Sequence, residues 1–294
     1  SIVVPDGSME AKAKDLFSRA GLPIHIGKTR TKEGVVSAPW ISRVAFQRPQ
    51  EIPGNLAKGH FDVALVGEDW IANGGYGFPV LLTLPIGREH DRPVRIVLAV
   101  AEDSTIDTPR SIPYGAEVAT EYVQLAERFF REMGRDDIVI TASFGNTEQK
   151  IAFGATAIID VTESGRSLRE NDLREIHEIM QSSTVLVANS AAFADTEKKS
   201  YIDCLTELIR GAYQASRHVM IIANVPEKAL TKASLIMGGL KGPSCSPVLA
   251  DGEEKWFALT SIIPKEKETD IIFLLLTNGV TDIVVTRDIP LIMS

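Results

Sequence analysis

Apolar residues along this chain follow two rhythms, and their alternation predicts an α/β protein with largely parallel sheets. Residues 2–4 read as a short strand that breaks at Pro5-Asp6-Gly7. Ala13, Leu16, Phe17 and Ala20 then recur at helical spacing until Gly21 ends the run. Residues 62–66 form the next strand, and Gly67-Glu68-Asp69 sits at its C-terminal end, where open α/β sheets place ligands. Further strands are predicted at 95–100, 138–141, 157–160, 175–180 and 185–188. Tyr122, Leu125, Ala126, Phe129, Phe130 and Met133 mark a helix stopped by Gly134, and Tyr201, Leu205, Leu208, Ile209 and Ala212 mark another.

After Ser216 the rhythm changes. Strand 219–224, helix 226–237, strands 246–250 and 256–263, helix 266–277 and strand 282–286 follow in turn. That βαββαβ order is the ferredoxin-like pattern, and the segment is long enough for one small domain. It often serves regulation or pairing, although a fold alone does not establish a role.

Composition narrows the function. The 294 residues carry 31 Lys and Arg against 39 Asp and Glu, a net charge of −8. No basic stripe appears, which argues against a nucleic-acid-binding protein but leaves nucleotide substrates open. Cys204 and Cys245 make neither a disulfide framework nor a zinc site, and a reduced cytoplasm fits them. No secretory leader or membrane span is visible, so no membrane partner is expected. His25, His60, His90, His177 and His218 lack metal-ligand spacing, so no protein-held metal is expected. Trp40, Trp70 and Trp256 are expected to pack, and neither a Gly-x-Ser-x-Gly elbow nor a Walker loop occurs.

The most informative stretch is Asp160-Val161-Thr162-Glu163-Ser164-Gly165-Arg166-Ser167-Leu168. A buried strand emptying into a Ser-Gly-x-Ser turn presents backbone N–H groups and two hydroxyls on one side, a concavity suited to phosphate. Gly165 lets the backbone approach an anion, and Asp160 stands where it can accept hydrogen bonds from sugar hydroxyls. The nine residues taken alone are equally an ordinary serine-rich turn.

Over its full length the chain resembles the ATP phosphoribosyltransferase family in its long form. The matching pieces include Arg48-Pro49-x-Glu51-Ile52-Pro53, Asp62 through Asp69, Ala119-Thr120-Glu121-Tyr122, Gly145-Asn146-Thr147-Glu148, the loop itself and Asn171-Asp172-Leu173-Arg174-Glu175. Three more lie further on: residues 220–226, Gly242-Pro243-Ser244-Cys245-Ser246-Pro247, and residues 278–285. The resemblance implies a two-lobed, type II periplasmic-binding-protein-like catalytic core with the active site in its cleft. Residues 1–92 and 181–216 would form lobe I, 93–180 lobe II, and 217–294 an ACT-like histidine-binding domain.

It also implies a reaction. N1 of the ATP adenine attacks C1 of phosphoribosyl pyrophosphate and pyrophosphate leaves, the first step of histidine biosynthesis, with Mg²⁺ carried mainly by substrate phosphates. Asp160, Glu148 and Arg48 match catalytic positions. Glu163, Ser164, Gly165, Arg166, Ser167, Leu168, Glu68, Asp69, Arg95 and Thr120 match substrate-binding ones. Asn224 and Ser244 fall in the segments expected to bind L-histidine as inhibitor, and a homo-oligomer, dimer or hexamer, is implied.

The first turn departs from the family. Two cations expected near substrate phosphates are replaced in Pro5-Asp6-Gly7-Ser8-Met9, and Lys12, Lys14, Lys28 or Arg30 are candidates to substitute. After Glu148 the usual Ala-Pro pair is Lys150-Ile151, and Lys150 is a further source of charge. Three other readings stay open: a two-lobed small-molecule-binding protein, a prephenate-dehydratase-like enzyme, and a family member that has lost catalysis and regulates. The second would carry Thr-Arg-Phe, whereas Thr29-Arg30 is followed here by Thr31.

Overall fold

The computed structural model describes residues 1–26, 32–87, 92–249 and 254–287. Lys28, Arg30 and His90, and Ala250 at the end of a predicted strand, lie outside the described residues. The chain divides into two compact units, Ser1–Asp15 with Ile24–Thr206, and Leu16–Pro23 with Glu207–Ser294.

The first unit holds two sheets. The elements in chain order begin β1 (Ile2–Pro5), α1 (Glu10–Arg19), β2 (His25–Ile26), β3 (Glu33–Val35) and β4 (Val44–Gln47). They continue α2 (Ile52–Ala57), β5 (Val63–Gly67), α3 (Glu68–Gly74) and β6 (Val80–Leu84). The chain then crosses to a second sheet through β7 (Val94–Ala101), β8 (Glu117–Thr120), α4 (Val123–Glu132), β9 (Val139–Ala142), β10 (Ala157–Thr162), α5 (Arg166–Glu170) and β11 (Leu173–Ser182). It returns as β12 (Thr184–Ala188), followed by α6 (Ser190–Ala194) and α7 (Thr196–Ser216), whose residues from Glu207 on, like those of α1 from Leu16 on, belong to the second unit. The sheet orders are β2-β3-β4-β1-β5-β12-β6 and β11-β7-β10-β8-β9.

These sheets are mixed, which corrects the expectation of largely parallel ones. The β4–β1–β5 and β10–β8–β9 pairings are parallel. By contrast β12 runs antiparallel to β5 and β6, and β7 antiparallel to β10 and β11. The reason is the crossing itself: β7 and β12 are the first strands laid down after each passage and enter their sheets from the far side. In each sheet the strand contributed by the crossing chain stands second from one edge, β12 inside β6 and β7 inside β11.

Both sheets bury continuous apolar runs, such as Ile96 to Val100 and Ala157 to Ile159, all fully buried. A single apolar cluster includes Val3, Ala64 and Val66 from the first lobe and Leu98, Val118 and Ile159 from the second. Continuous burial of this kind is what strands covered on both faces require.

The second unit contains β13 (His218–Pro226), α8 (Leu230–Met237), β14 (Ser244–Val248), β15 (Trp256–Pro264), α9 (Glu268–Thr277) and β16 (Thr281–Thr286). The order β14-β15-β13-β16, antiparallel throughout, is the ferredoxin-like arrangement. Val219, Ile221, Ala223 and Val225 alternate onto the buried face, where Ala233, Met237, Ile271 and Leu275 of the helices cover them.

Candidate active site between two lobes

A cleft of about 550 Å³, part of it open to solvent, lies where the strands of the first lobe end and the chain crosses over. Pro5 and Gly67 close β1 and β5 there, Gly87 belongs to the first crossing, and Ser182, Ser183 and Thr184 form the second. Val94 and Val161 also line an adjoining concavity of about 710 Å³, walled by Thr162, Glu163, Ser164, Arg166, Ser167 and Glu170. The two spaces therefore share a wall contributed by β7 and β10.

The loop after β10 is held by its own polar groups. Thr162, buried, accepts the Gly165 N–H on its hydroxyl at 2.9 Å. Gly165 has φ +72°, a left-handed conformation that favours glycine. A Cβ there would come within 2.8 Å of Arg169 Nη1, which itself donates to the Ser164 carbonyl at 3.2 Å. Backbone conformation and Arg169 thus give further reasons for glycine here, and its N–H is engaged by Thr162. Arg169 N makes the first helical bond, to Gly165 O at 3.1 Å, so the N–H groups of Ser167 and Leu168 precede it and face no helical acceptor. Leu168 is 4% exposed and packs with Val97, Ala99 and Ile158, anchoring the loop from beneath.

Glu148 meets the loop. It sits on a 3₁₀ turn, Thr147–Phe153, entered through Gly145 and Asn146, both with positive φ. Thr147 ties the turn down by donating to Ser143 Oγ at 3.1 Å. The Glu148 carboxylate accepts a hydrogen bond from Ser167 Oγ. Asp160 lies in β10 two residues before its end, and its Oδ1 accepts the Val161 N–H at 2.7 Å. Arg166 Nε pairs with Glu170 at 2.6 Å. Glu163 reaches the first crossing, where a Cβ on Gly87 would stand 2.7 Å from its Oε1.

Other expected residues are placed differently. Arg48 is exposed on the turn after β4, beside the cleft-lining Pro49, and makes no ion pair among the described residues. Glu68 accepts the Ser183 N–H at 2.8 Å, fastening α3 to the second crossing. Asp69 is 5% exposed, with Oδ1 taken by Ser182 Oγ at 2.6 Å and Oδ2 by Tyr122 Oη at 2.7 Å. Thr120 is fully buried, and its hydroxyl accepts the Tyr122 N–H at 2.9 Å. Arg95 is paired with Glu175 at 2.7 Å and Glu178 at 3.2 Å, and the hydrogen bond it donates to Glu175 raises its pKa further. Asp69, Thr120 and Arg95 are thus bonded within the protein rather than gathered at the loop.

Charge near the first turn is rearranged as well. Asp6 pairs with Lys32 at 3.2 Å, and that bond is the main cause of the raised Lys32 pKa. Lys14 is committed to Glu10 at 2.6 Å. Lys12 donates to the Gly87 carbonyl at 2.7 Å, which brings this candidate cation to the cleft. Sequence reasoning passed over Ser182, Ser183 and Gly87; the only signal was a polar Ser-Ser-Thr interruption between two apolar strands.

The family model described as ATP phosphoribosyltransferase matches residues 48–211, and that of the HisG C-terminal domain matches residues 215–287. An ATP phosphoribosyltransferase of Desulfosudis oleivorans is 33% identical over 282 residues, covering 96% of this chain and 94% of that protein. This chain belongs to the ATP phosphoribosyltransferase family. A second relative of that name, from Koribacter versatilis, is 35% identical over 281 residues, covering 96% of this chain and 95% of its own. Among solved structures, an ATP phosphoribosyl transferase (HisG:HisZ) complex from Thermotoga maritima aligns with a TM-score of 0.59 at 24% identity, covering 71% of this chain and 98% of that one. The last likeness speaks to fold. Near-complete coverage of the relatives in both directions identifies this long-form member as a phosphoribosyltransferase acting on phosphate-bearing substrates.

Proposed function

We propose that the cleft and its adjoining loop align phosphoribosyl pyrophosphate with ATP and transfer the phosphoribosyl group to N1 of adenine. The C1–N1 bond forms as the bond from C1 to the pyrophosphate oxygen breaks, giving phosphoribosyl-ATP and pyrophosphate. The transition state resembles an oxocarbenium ion, so the work is alignment of two anions and stabilisation of the departing one. The observation that carries this reading is the β10–loop–α5 segment, with its Ser167–Glu148 contact, at a concavity that shares Val94 and Val161 with the interlobe cleft in a chain of this family.

In this reading the backbone N–H groups of the loop other than that of Gly165, with the hydroxyls of Ser164 and Ser167, hold the 5-phosphate, and Asp160 accepts from the ribose hydroxyls. Glu148 contacts a ribose, while Arg48 and Lys12 balance phosphate charge, Lys12 standing in for the cations missing from the first turn. Among the described residues no three His, Cys, Asp or Glu side chains converge as metal ligands. Mg²⁺ held by substrate oxygens and water would neutralise the diphosphate. L-Histidine is proposed to bind the second unit near Asn224, whose amide donates to Asp282 at 3.2 Å, and Ser244, exposed at the start of β14. A homo-oligomer in the cytoplasm is the setting we infer; among the described residues no helix is long and apolar enough to cross a membrane.

One observation favours a second reading, a member with impaired catalysis: Asp6 and Ser8 occupy the turn where the family carries cations. Incubation with both substrates and Mg²⁺ separates the readings. Turnover to phosphoribosyl-ATP supports the enzyme, and saturable binding without product supports the impaired member.

A further inference from the structure

Behind the cleft, α3 of the first lobe and α4 of the second cap each other. The last carbonyls of α3 accept from one guanidinium of α4: Arg128 Nη1 reaches Asn73 O at 3.2 Å, and Nη2 bonds Ala72 O. In return, Asn73 Oδ1 accepts the Leu125 N–H at 3.0 Å, in the first turn of α4. Tyr122, the residue before α4, makes no side-chain cap of its own. A residue of the other lobe therefore fills the N-cap role that a local Ser, Asp or Asn ordinarily plays. Tyr122 instead stacks on Trp70, with centroids 4.4 Å apart, and donates to Asp69.

The polar side chains of the junction are buried. Tyr122 is 1% exposed, Ser182 2%, Asp69 5% and Asn73 9%. Asp69 also ties to Ser182 of the second crossing, so its carboxylate joins α3, the entrance to α4 and the strand that returns to the first lobe. One apolar cluster runs through the same place, from Trp70 to Tyr122, Ala126 and Phe130. Swinging the lobes apart here would strip these polar groups of partners and break the ring stack at once, a cost that rises because buried polar groups cannot find water.

We propose that this clasp presets the angle between the lobes. The cleft is held near its working geometry before substrate arrives, instead of forming by a flytrap closure, and Tyr122, Asn73 and Arg128 are positioning residues for the transfer. Weakening the clasp spreads the lobes over several angles, and a substrate needing the competent angle binds more weakly in proportion to the fraction lost.

The test is a spin-label distance measurement across the full-length chain. Cys204 and Cys245 are replaced by serine, and nitroxides are placed on Lys58→Cys in the first lobe and Tyr114→Cys in the second, both exposed positions. The parent protein should give one narrow distribution that barely moves when phosphoribosyl pyrophosphate or ATP is added. Tyr122→Phe, which keeps the ring stack, and Asn73→Ala should each broaden it, and Asn73→Asp, which keeps the acceptor, should restore it. If the competent fraction falls to about one tenth, KM rises about tenfold with kcat nearly unchanged. A lower Tm with unaltered distribution and KM would reduce the clasp to a stabilising contact and overturn the proposal. A shift of several ångström on adding ligand to the parent would overturn it too. The kinetic arm rests on the proposed function, whereas the distance arm does not, so the two can fail separately.

Discussion

Gly165→Val gives the sharpest perturbation of the phosphate loop. At φ +72° any L side chain pays about 1–2 kcal/mol, with a branched one at the upper end. The new Cβ would also press on Arg169 Nη1 from 2.8 Å and displace it from the Ser164 carbonyl, a bond worth about 0.5–1.5 kcal/mol. The loop is exposed, so it relieves a strain of roughly 2–3 kcal/mol by shifting, and the loss appears in anion binding more than in global stability. At 1.4 kcal/mol per tenfold, KM for phosphoribosyl pyrophosphate should rise roughly 30- to 100-fold. Initial rates at saturating ATP measure it, with KM for ATP and the Tm as controls for a general disturbance. Gly165→Ala, without the branch, should fall between the two. Unchanged affinity for phosphoribosyl pyrophosphate in the valine variant would refute the assignment of this loop.

Three further outcomes are expected. Asp160→Asn should cut kcat/KM at least about tenfold, or roughly 1.4 kcal/mol, since an amide only partly replaces a charged acceptor; wild-type kinetics would remove Asp160 from the site. Asn224→Ala and Ser244→Ala should each raise the histidine concentration giving half-inhibition, and a parent enzyme indifferent to millimolar histidine would contradict the regulatory reading. Burial pushes the Asp62 carboxyl up, but hydrogen bonds from Lys198 and Ser1 outweigh it and hold the pKa at about 2, below the ordinary 3.8. Because the folded value is depressed, that stabilisation is complete above pH 3.8 and disappears as pH falls toward 2. Tm followed from about pH 5 to about pH 2 should therefore fall on the acid side, and Lys198→Met should flatten that part of the curve.

The elements easiest to read in the sequence were those whose pattern lasts. Residues 256–263, rich in aromatic and β-branched types, became β15, and the apolar run 157–159 became the centre of β10. The hairpin strands β2 and β3, two and three residues long, carry no period to detect. Strand direction is likewise unwritten in a hydrophobic pattern, so β7 and β12 were expected to run with their neighbours. Ser164-Gly165-x-Ser167 was legible because its residue types are those a turn-bound anion needs. Asp69 stood out because an acid at a strand's C-terminal end looks like a ligand group; it lines the cleft, and its carboxylate is bonded within the protein as well. Its partners, Ser182 and Tyr122, lie 113 and 53 residues away, and no local spacing announces them.

The central claim is that the cleft performs a group transfer, and the most direct measurement is simultaneous detection of both products. With ATP, phosphoribosyl pyrophosphate and Mg²⁺ supplied, the account predicts phosphoribosyl-ATP and pyrophosphate in equal amounts, and neither when either substrate is left out. Tight binding of both substrates with no pyrophosphate released would contradict it.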